Sequence, residues 1–172
     1  TPLTIAAQRG HAQCVRALIM ARADMEASRA DGMGALAYAA LGGHAPCVRL
    51  LVLASAALSV EDGSGWSPIL YAAHGGHLEC IRLLVAASAS ADHARSNGFT
   101  PLMAAAAAGR PKSVLLLRAL GATAALPKRA GCYLGGVYDH AALGGAPEAC
   151  ARALEASLGP LQQHLSEEMA HG

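Results

Sequence analysis

Apolar positions in this chain follow a pattern of two short helices that returns every 33 residues. A first apolar group spans about two helical turns, and a second group follows at helical spacings of three and four residues. The pattern starts at Thr1, Gly34, Ser67 and Thr100, and a weaker copy starts at Gly136 after an insertion of three residues. A fixed period of this length predicts a stack of similar units, because one unit is too small to bury its own apolar face.

The first helix of each unit is predicted by the residues that begin and end it. Thr1, Ser67 and Thr100 each precede a proline. A hydroxyl there can cap free backbone N–H groups, and a proline in the first turn loses no hydrogen bond. An Ala-Ala pair inside the helix allows neighbouring units to approach closely. A glycine that can end the helix follows in four units: Gly10, Gly43, Gly76 and Gly109.

The second helix of each unit carries an apolar stripe and leads into a loop. In the first unit the stripe consists of Val15, Leu18 and Ile19, and equivalent residues recur in the following units. The connections hold turn residues, such as Asp31-Gly32 and Asn97-Gly98. Such pairs are typical of tight turns. Each unit is therefore expected to be helix, turn, helix and a protruding hairpin-like loop.

The order of these features resembles the ankyrin repeat. The hallmark of that family is a Thr-Pro-Leu-His opening, an Ala-Ala pair, Gly-His, a Val-x-x-Leu-Leu helix and a closing Gly-Ala, and most of these elements recur from residue 1 to residue 157. The resemblance implies an all-α solenoid of about five helix-turn-helix units joined by hairpin-like loops. The expected units lie near 1–33, 34–66, 67–99, 100–135 and 136–157.

A capping helix is expected after the last unit. Leu161, Leu165 and Met169 recur every four residues beside polar side chains, which predicts an amphipathic helix within a cap and tail at 158–172. This helix would close the open end of the stack. The alternative is that the same apolar stripe docks a partner helix.

Departures from the family pattern bear on stability. The histidine after Thr-Pro-Leu is replaced in every unit, and the Gly-Ala that ends the second helix survives only as Gly121-Ala122. Arg22, Ser55 and Ser88 stand at the glycine position elsewhere. A left-handed backbone at these residues would cost on the order of 1–2 kcal/mol each. We therefore expect a correctly folded but modestly stable array, with a Tm below about 90 °C.

The candidate recognition residues lie at the loop tips and on the first helices. Met33, Trp66 and Phe99 share one position, directly before three of the repeat motifs. The resemblance implies that these tips and the exposed side of the first helices form a concave groove. Aromatic side chains and Met are enriched where interfaces concentrate their energy, although a bulky residue here could instead pack against the next loop. The expected partner-binding residues are Met33, Trp66, Phe99, His74, Leu41 and Arg9.

The rest of the groove lining is expected to be small and mostly uncharged. Gln8 and Ala107 would lie within it, with Asp31, Ser64 and Asn97 at the loop edge. Such a lining suits a partner with protruding apolar side chains rather than a highly charged one.

A His-x-x-Cys pattern occurs in three units, but a metal site is not expected. Each copy offers two ligands, whereas structural zinc takes four, and successive copies would lie about 8–10 Å apart. The resemblance implies that the histidine bonds backbone to close the turn between the helices, while the cysteine fills a small core position. A row formed by Arg16, Arg49 and Arg82 is interpreted as a solvated convex face.

The remaining features favour a non-catalytic protein. The net charge of +1 gives no bias toward nucleic acid, and the longest apolar run, Leu50 to Val60, is too short to span a bilayer. No nucleophile elbow or phosphate-binding loop is present. Cys132, with Lys128 and Arg129 upstream, is the one candidate for a reactive thiol.

The cysteines also bear on location. Cys14, Cys47 and Cys80 occupy one position of successive units, about 8–10 Å apart, whereas a disulfide requires Cα atoms within about 7 Å. A reduced, intracellular setting is expected, in the cytoplasm or alternatively the nucleus. Because the chain begins inside a repeat, we also expect it to be a region of a longer protein. We expect no signal peptide within the chain.

These features together favour a protein–protein interaction module, an adaptor or scaffold that binds a protein partner through its concave surface. The alternative is a structural spacer or targeting segment of a larger multidomain protein, with or without catalytic domains. We expect no cofactor, no metal, no nucleic acid and no membrane insertion, and a monomeric state.

Overall fold

Eight short helices alternate with turns and loops along residues 1–123, the part of the chain that our computed structural model describes. The helices are α1 (Pro2–Gln8), α2 (Ala12–Met20), α3 (Ala35–Leu41), α4 (Ala45–Leu53), α5 (Pro68–Gly75), α6 (Leu78–Ala86), α7 (Pro101–Ala107) and α8 (Pro111–Ala119). They form four helix-turn-helix units at the predicted spacing. The expected fifth unit at 136–157, the cap at 158–172 and Cys132 lie outside the described residues.

The starts of the first helices follow the prediction at two of the three capped positions. The hydroxyl oxygen of Thr1 accepts a hydrogen bond from the Thr4 amide, and that of Thr100 accepts one from the Met103 amide, each at 3.2 Å. The predicted cap at Ser67 is wrong, because its hydroxyl is buried without a hydrogen-bond partner. Serine lacks the γ-methyl group that restricts χ1 in threonine, so its hydroxyl is less firmly directed toward the helix.

The backbone turns left-handed where the sequence predicted it. The glycines that end the first helices all have positive φ: Gly10, Gly43, Gly76 and Gly109. The three residues that replace glycine after the second helices also adopt this conformation, with φ of 56° at Arg22, 65° at Ser55 and 77° at Ser88. In the fourth unit Gly121 takes the same conformation, with φ of 92°. Three units therefore carry a backbone strain that the fourth avoids.

The core lies between two layers of helices. First helices pack against the first helices of neighbouring units, second helices pack against second helices, and each first helix packs on its own second helix. The Ala-Ala pairs at 39–40 and 72–73 are fully buried between first helices, while Leu51 and Leu84 fill the space beside the second helices. Cys47 and Cys80 occupy the predicted small core position, whereas Cys14 in the first unit is exposed.

A side chain from each later unit reaches back to a carbonyl oxygen of the unit before it. The donors stand at one repeat position, and the acceptors stand at another. The hydrogen bonds are His44 Nε2 to Gln8 O (3.1 Å), His77 Nε2 to Leu41 O (3.0 Å) and Arg110 Nε to His74 O (3.3 Å). The histidine bonds backbone, as expected, but the carbonyl oxygen belongs to the preceding unit and not to the turn of its own unit. It joins two units instead, because its ring lies over the glycine turn of the preceding unit.

The glycine turns are required by this contact. A Cβ atom at Gly10 would lie 2.6 Å from Nδ1 of His44, which is far inside normal contact distance. Gly43 faces His77 in the same way. Glycine therefore serves two purposes at this position, the left-handed turn and the space for the side chain of the next unit.

Replacing the strained serines with glycine should stabilise the array. In the Ser55→Gly/Ser88→Gly variant we expect each substitution to add about 1 kcal/mol, less the extra freedom that glycine gives the unfolded chain. The measurement is the Tm by far-UV circular dichroism, which should rise by several degrees. Ser59→Gly is the matched control, since Ser59 is exposed and has no positive φ. An equal or lower Tm in the double variant would contradict the prediction.

Replacing Ser113 with cysteine, the residue that its repeat position carries in other units, should stabilise the array. It occupies the place of Cys47 and Cys80, and its hydroxyl is buried without a hydrogen-bond partner. Ser113→Cys should raise the free energy of unfolding by about 1 kcal/mol, because burying an unpaired hydroxyl costs about 1–3 kcal/mol. Cys80→Ser should lower it by a similar amount, as the reverse change. Urea unfolding of both variants tests this, and shifts of the same sign would rule it out.

Candidate functional site

A row of aromatic side chains runs across the loop side of the first helices. Trp66 stands at its centre, with ring centroids 5.1 Å from Tyr71, 5.5 Å from His74 and 6.2 Å from Phe99. Tyr71 also packs against a small cluster that contains Tyr38. We call Tyr38, Tyr71, Trp66, His74 and Phe99 the aromatic row. Trp66 is half-buried and His74 is exposed, so the row is partly accessible to a partner.

One end of the aromatic row is fastened to its loop by an aspartate. The Tyr38 hydroxyl donates a hydrogen bond to Asp31 Oδ2 at 2.5 Å, while Asp31 Oδ1 accepts one from the Met33 amide at 2.9 Å. Both carboxylate oxygens are thus engaged, one by the loop and the other by helix α3. The loop and the first helix that follows it are held together by this single side chain.

In the next unit an aspartate also connects the loop to the first helix that follows it, but this aspartate stands at a different repeat position. Here the Tyr71 hydroxyl donates to Asp62 Oδ2, and Asp62 Oδ1 accepts hydrogen bonds from the amides of Ser64 (2.8 Å) and Trp66 (2.9 Å). Asp62 lies two residues earlier in its unit than Asp31 does in its own. Because Asp62 binds the backbone of Trp66, it fixes the centre of the aromatic row.

These hydrogen bonds shift the acidities of all four groups. The Tyr38 hydroxyl, followed by the Met33 amide, lowers the pKa of Asp31. Burial raises the pKa of Asp62, but the Tyr71 hydroxyl and the loop amides outweigh it, so this pKa is also lowered. In return, Asp31 and burial raise the pKa of Tyr38, and burial and Asp62 raise that of Tyr71.

Two arginines lie over the aromatic row. The guanidinium carbon of Arg29 is 5.4 Å from the ring centroid of Tyr38, and that of Arg95 is 5.8 Å from the Trp66 centroid. Arg29 Nη1 also donates to Gln8 Oε1 at 3.2 Å, and Arg95 Nη2 donates to the Ser64 carbonyl. Cation–π contact and a neutral acceptor therefore hold each guanidinium in place.

The structure places the predicted binding residues at different depths. Leu41, His74 and Arg9 are exposed on or just after the first helices, as expected. The loop-tip placement of Met33 and Phe99 is wrong, because these side chains are only 8% and 9% exposed. Their role in binding stays a prediction.

The hairpin geometry places Met33 and Phe99 at the base of each loop rather than at its tip. The carbonyl of Met33 accepts a hydrogen bond from the Arg29 amide, and that of Phe99 accepts one from the Arg95 amide. These bonds close each loop. They turn the chain back toward the first helix one residue after Gly32 or Gly98, whose φ is positive.

Four residues of this surface were not predicted from the sequence. The expected mostly uncharged lining is also wrong, because two of the four are arginines. Tyr38 and Tyr71 lie 33 residues apart, and Arg29 and Arg95 lie twice that distance apart, so each pair shares one repeat position. The repeat period was the signal that could have found them. Their position was overlooked because the loop, not the helix alone, decides which side chains meet.

The other candidate patterns form no site within the described residues. No group of three or more His, Cys, Asp or Glu side chains lies together there to hold a metal ion. Burial raises the pKa of Cys47 and raises that of Cys80 to about 11, which leaves both thiols unreactive. Arg16, Arg49 and Arg82 are exposed on the second helices, as expected. None of the helices described is long and apolar enough to cross a membrane.

Comparison with protein families supports the interpretation of the repeats. A family model described as ankyrin repeats (three copies) matches residues 1–62 and again residues 52–126. The two matches together cover more than half of the 172 residues. No curated protein matches the chain with significant similarity.

The tyrosine–aspartate pairs should make stability depend on pH at both ends of the scale. Their lowered aspartate pKa values contribute stability above about pH 4 that is lost as the pH falls, and their raised tyrosine pKa values contribute stability below about pH 10 that is lost as it rises. In Tyr38→Phe/Tyr71→Phe, both losses should be smaller. Tm measured across the pH range, with absorbance of tyrosinate at high pH, tests this. Parallel curves for the two proteins would contradict it.

Proposed function

Since the chain belongs to the ankyrin-repeat family, we propose that it is a non-catalytic adaptor or scaffold that binds a partner protein. Ankyrin repeats are generally protein–protein interaction modules. The proposed contact surface is the concave side formed by the loops and the first helices, with the aromatic row at its centre. A partner would bind it by shape, on a surface already folded before binding.

The observation that carries this proposal is the fixed position of Trp66. Its backbone amide is bound by Asp62, and its ring is surrounded by Tyr71, His74 and Phe99. The residue is nevertheless partly exposed. An aromatic side chain that is already ordered loses little conformational freedom on binding, so more of its contact energy contributes to affinity.

The six predicted residues would divide into two groups on such a surface. Trp66, His74, Leu41 and Arg9 would touch the partner, since Trp66 is partly exposed and the other three are exposed. Leu41, which is 41% exposed, supplies apolar area beside the row. Met33 and Phe99 would support Trp66 and Tyr71 from below.

We further propose a monomeric protein of the cytoplasm or nucleus that binds no nucleic acid and does not insert into a membrane. The three described cysteines are free thiols, which supports a reducing location. The formal net charge of +1 supports a protein partner over a nucleic acid.

The test is a comparison of two double variants in partner capture and affinity. A partner captured from lysate with the unaltered chain should bind Trp66→Ala/His74→Ala at least about 2 kcal/mol more weakly, which is roughly thirtyfold in Kd. Leu53→Ala/His11→Ala is the matched control, because Leu53 is 77% exposed on α4 and His11 is exposed before α2. Phe99 is left unaltered, because truncating it would disturb the core.

Circular dichroism must first show that both double variants are folded. Calorimetric Kd values then decide the question. Equal affinities for the unaltered chain and both variants would contradict the proposed surface and favour the role of a structural spacer.

A further inference from the structure

We propose that the partner presents an extended acidic segment, in which two carboxylates bind Arg29 and Arg95 while apolar side chains between them pack against Trp66. This inference rests on the proposed function and specifies the chemistry of the partner. Its basis is the pair of loop arginines Arg29 and Arg95, which form no ion pair among residues 1–123.

Neither guanidinium has an anionic partner in the described part of the chain. Among residues 1–123, the contact of salt-bridge length joins His93 Nε2 to Glu61 Oε1 at 3.1 Å, and it is an ion pair only when His93 is protonated. Arg29 and Arg95 each donate instead to one neutral oxygen, that of Gln8 or Ser64. A guanidinium has five N–H donors in its plane, so each arginine retains an edge that can bind a carboxylate with two hydrogen bonds.

The neighbouring acidic groups are already engaged. Both oxygens of Asp31 and both oxygens of Asp62 accept hydrogen bonds from tyrosine hydroxyls and loop amides. Glu61 is paired with His93. The two arginines lower the pKa of these aspartates through their charge without forming ion pairs with them. Exposed Arg9 adds a further positive charge to this side of the stack.

The spacing of the arginines favours an extended chain. They occupy one loop position two units apart, and packed helices lie about 8–10 Å from each other, which places the arginines about 16–20 Å apart. An extended chain advances about 3.3 Å per residue and therefore covers this distance in about six residues. An even separation puts both carboxylates on one face of the segment, together with the alternate residues between them.

The apolar side chains at the Arg95 end of the segment would meet Trp66. The Trp66 ring is packed against Tyr71 and Phe99 and lies under the Arg95 guanidinium. These contacts leave part of the ring for an apolar side chain but little of its face for a stacked base. A peptide therefore fits the row better than a single-stranded nucleic acid, which requires aromatic faces for stacking.

A labelled synthetic peptide tests the inference on the full chain. The probe carries two aspartates about six residues apart, with leucines at alternate positions between them. One control peptide has asparagine in place of aspartate, and another brings the aspartates to about half that spacing. Fluorescence anisotropy should show the probe binding at least about tenfold more tightly than either control, with an affinity that falls as salt is added.

Protein variants separate this inference from the proposed function. Arg29→Gln/Arg95→Gln should lower the affinity for the probe at least about tenfold. Arg16→Gln/Arg49→Gln makes the same charge change on the second helices and should leave the affinity for the probe unaltered. Equal losses in both variants, equal binding of the asparagine peptide, or tighter binding of a single-stranded oligouridine would overturn the inference. If the captured partner depends on Trp66 and His74 but not on Arg29 and Arg95, the proposed function stands and the acidic segment does not.

Discussion

The stack depends on how closely neighbouring units can approach each other. Alanine pairs stand where the first helices meet, and glycine stands where the side chain of the next unit crosses the turn. The histidine or arginine that crosses there donates a hydrogen bond to a carbonyl oxygen of the preceding unit. These conditions fix the distance between units, and the loops and aromatic side chains can align only at that distance. A larger side chain at either place would separate the units before it disturbed any single helix.

Sequence reasoning succeeded for most features that one unit determines by itself. The ends of the helices and the hairpin-like loops are set within a few residues of backbone and were predicted, although Ser67 does not form its expected cap. Ser55 and Ser88 adopt the left-handed conformation whose cost the sequence analysis weighed. It failed where the partner of a group lies in another unit or where a loop decides its direction. The carbonyl bound by His77 lies in the preceding unit, and the burial of Phe99 depends on how its loop closes. A pattern of spacings states which residues are equivalent, but it does not state which way their side chains point.

The loops differ from unit to unit, and these differences give the surface its character. One loop position holds Arg29, Asp62 and Arg95 in successive units, although the backbone hydrogen bonds that close the three loops are the same. The second loop uses its aspartate at this position to bind Tyr71, while the first loop uses Asp31 two residues later to bind Tyr38. The constant backbone supplies the shape. The variable side chains supply the charge and the aromatic area, and these would determine which partner is recognised.

Strain and rigidity lie at different positions of the segment that joins a second helix to the next first helix. In the second unit, left-handed Ser55 lies just after helix α4, seven residues before Asp62, which fastens the loop to the next first helix. The strained residues, which lower the stability of the array, thus lie where the proposed partner would not touch it. The hydrogen bonds that fasten the loops lie where the partner would bind. Since the loops are ordered before any encounter, binding would not have to supply the free energy of ordering them. Removing the strain at the serines should therefore raise stability without changing affinity, because the two properties depend on different residues.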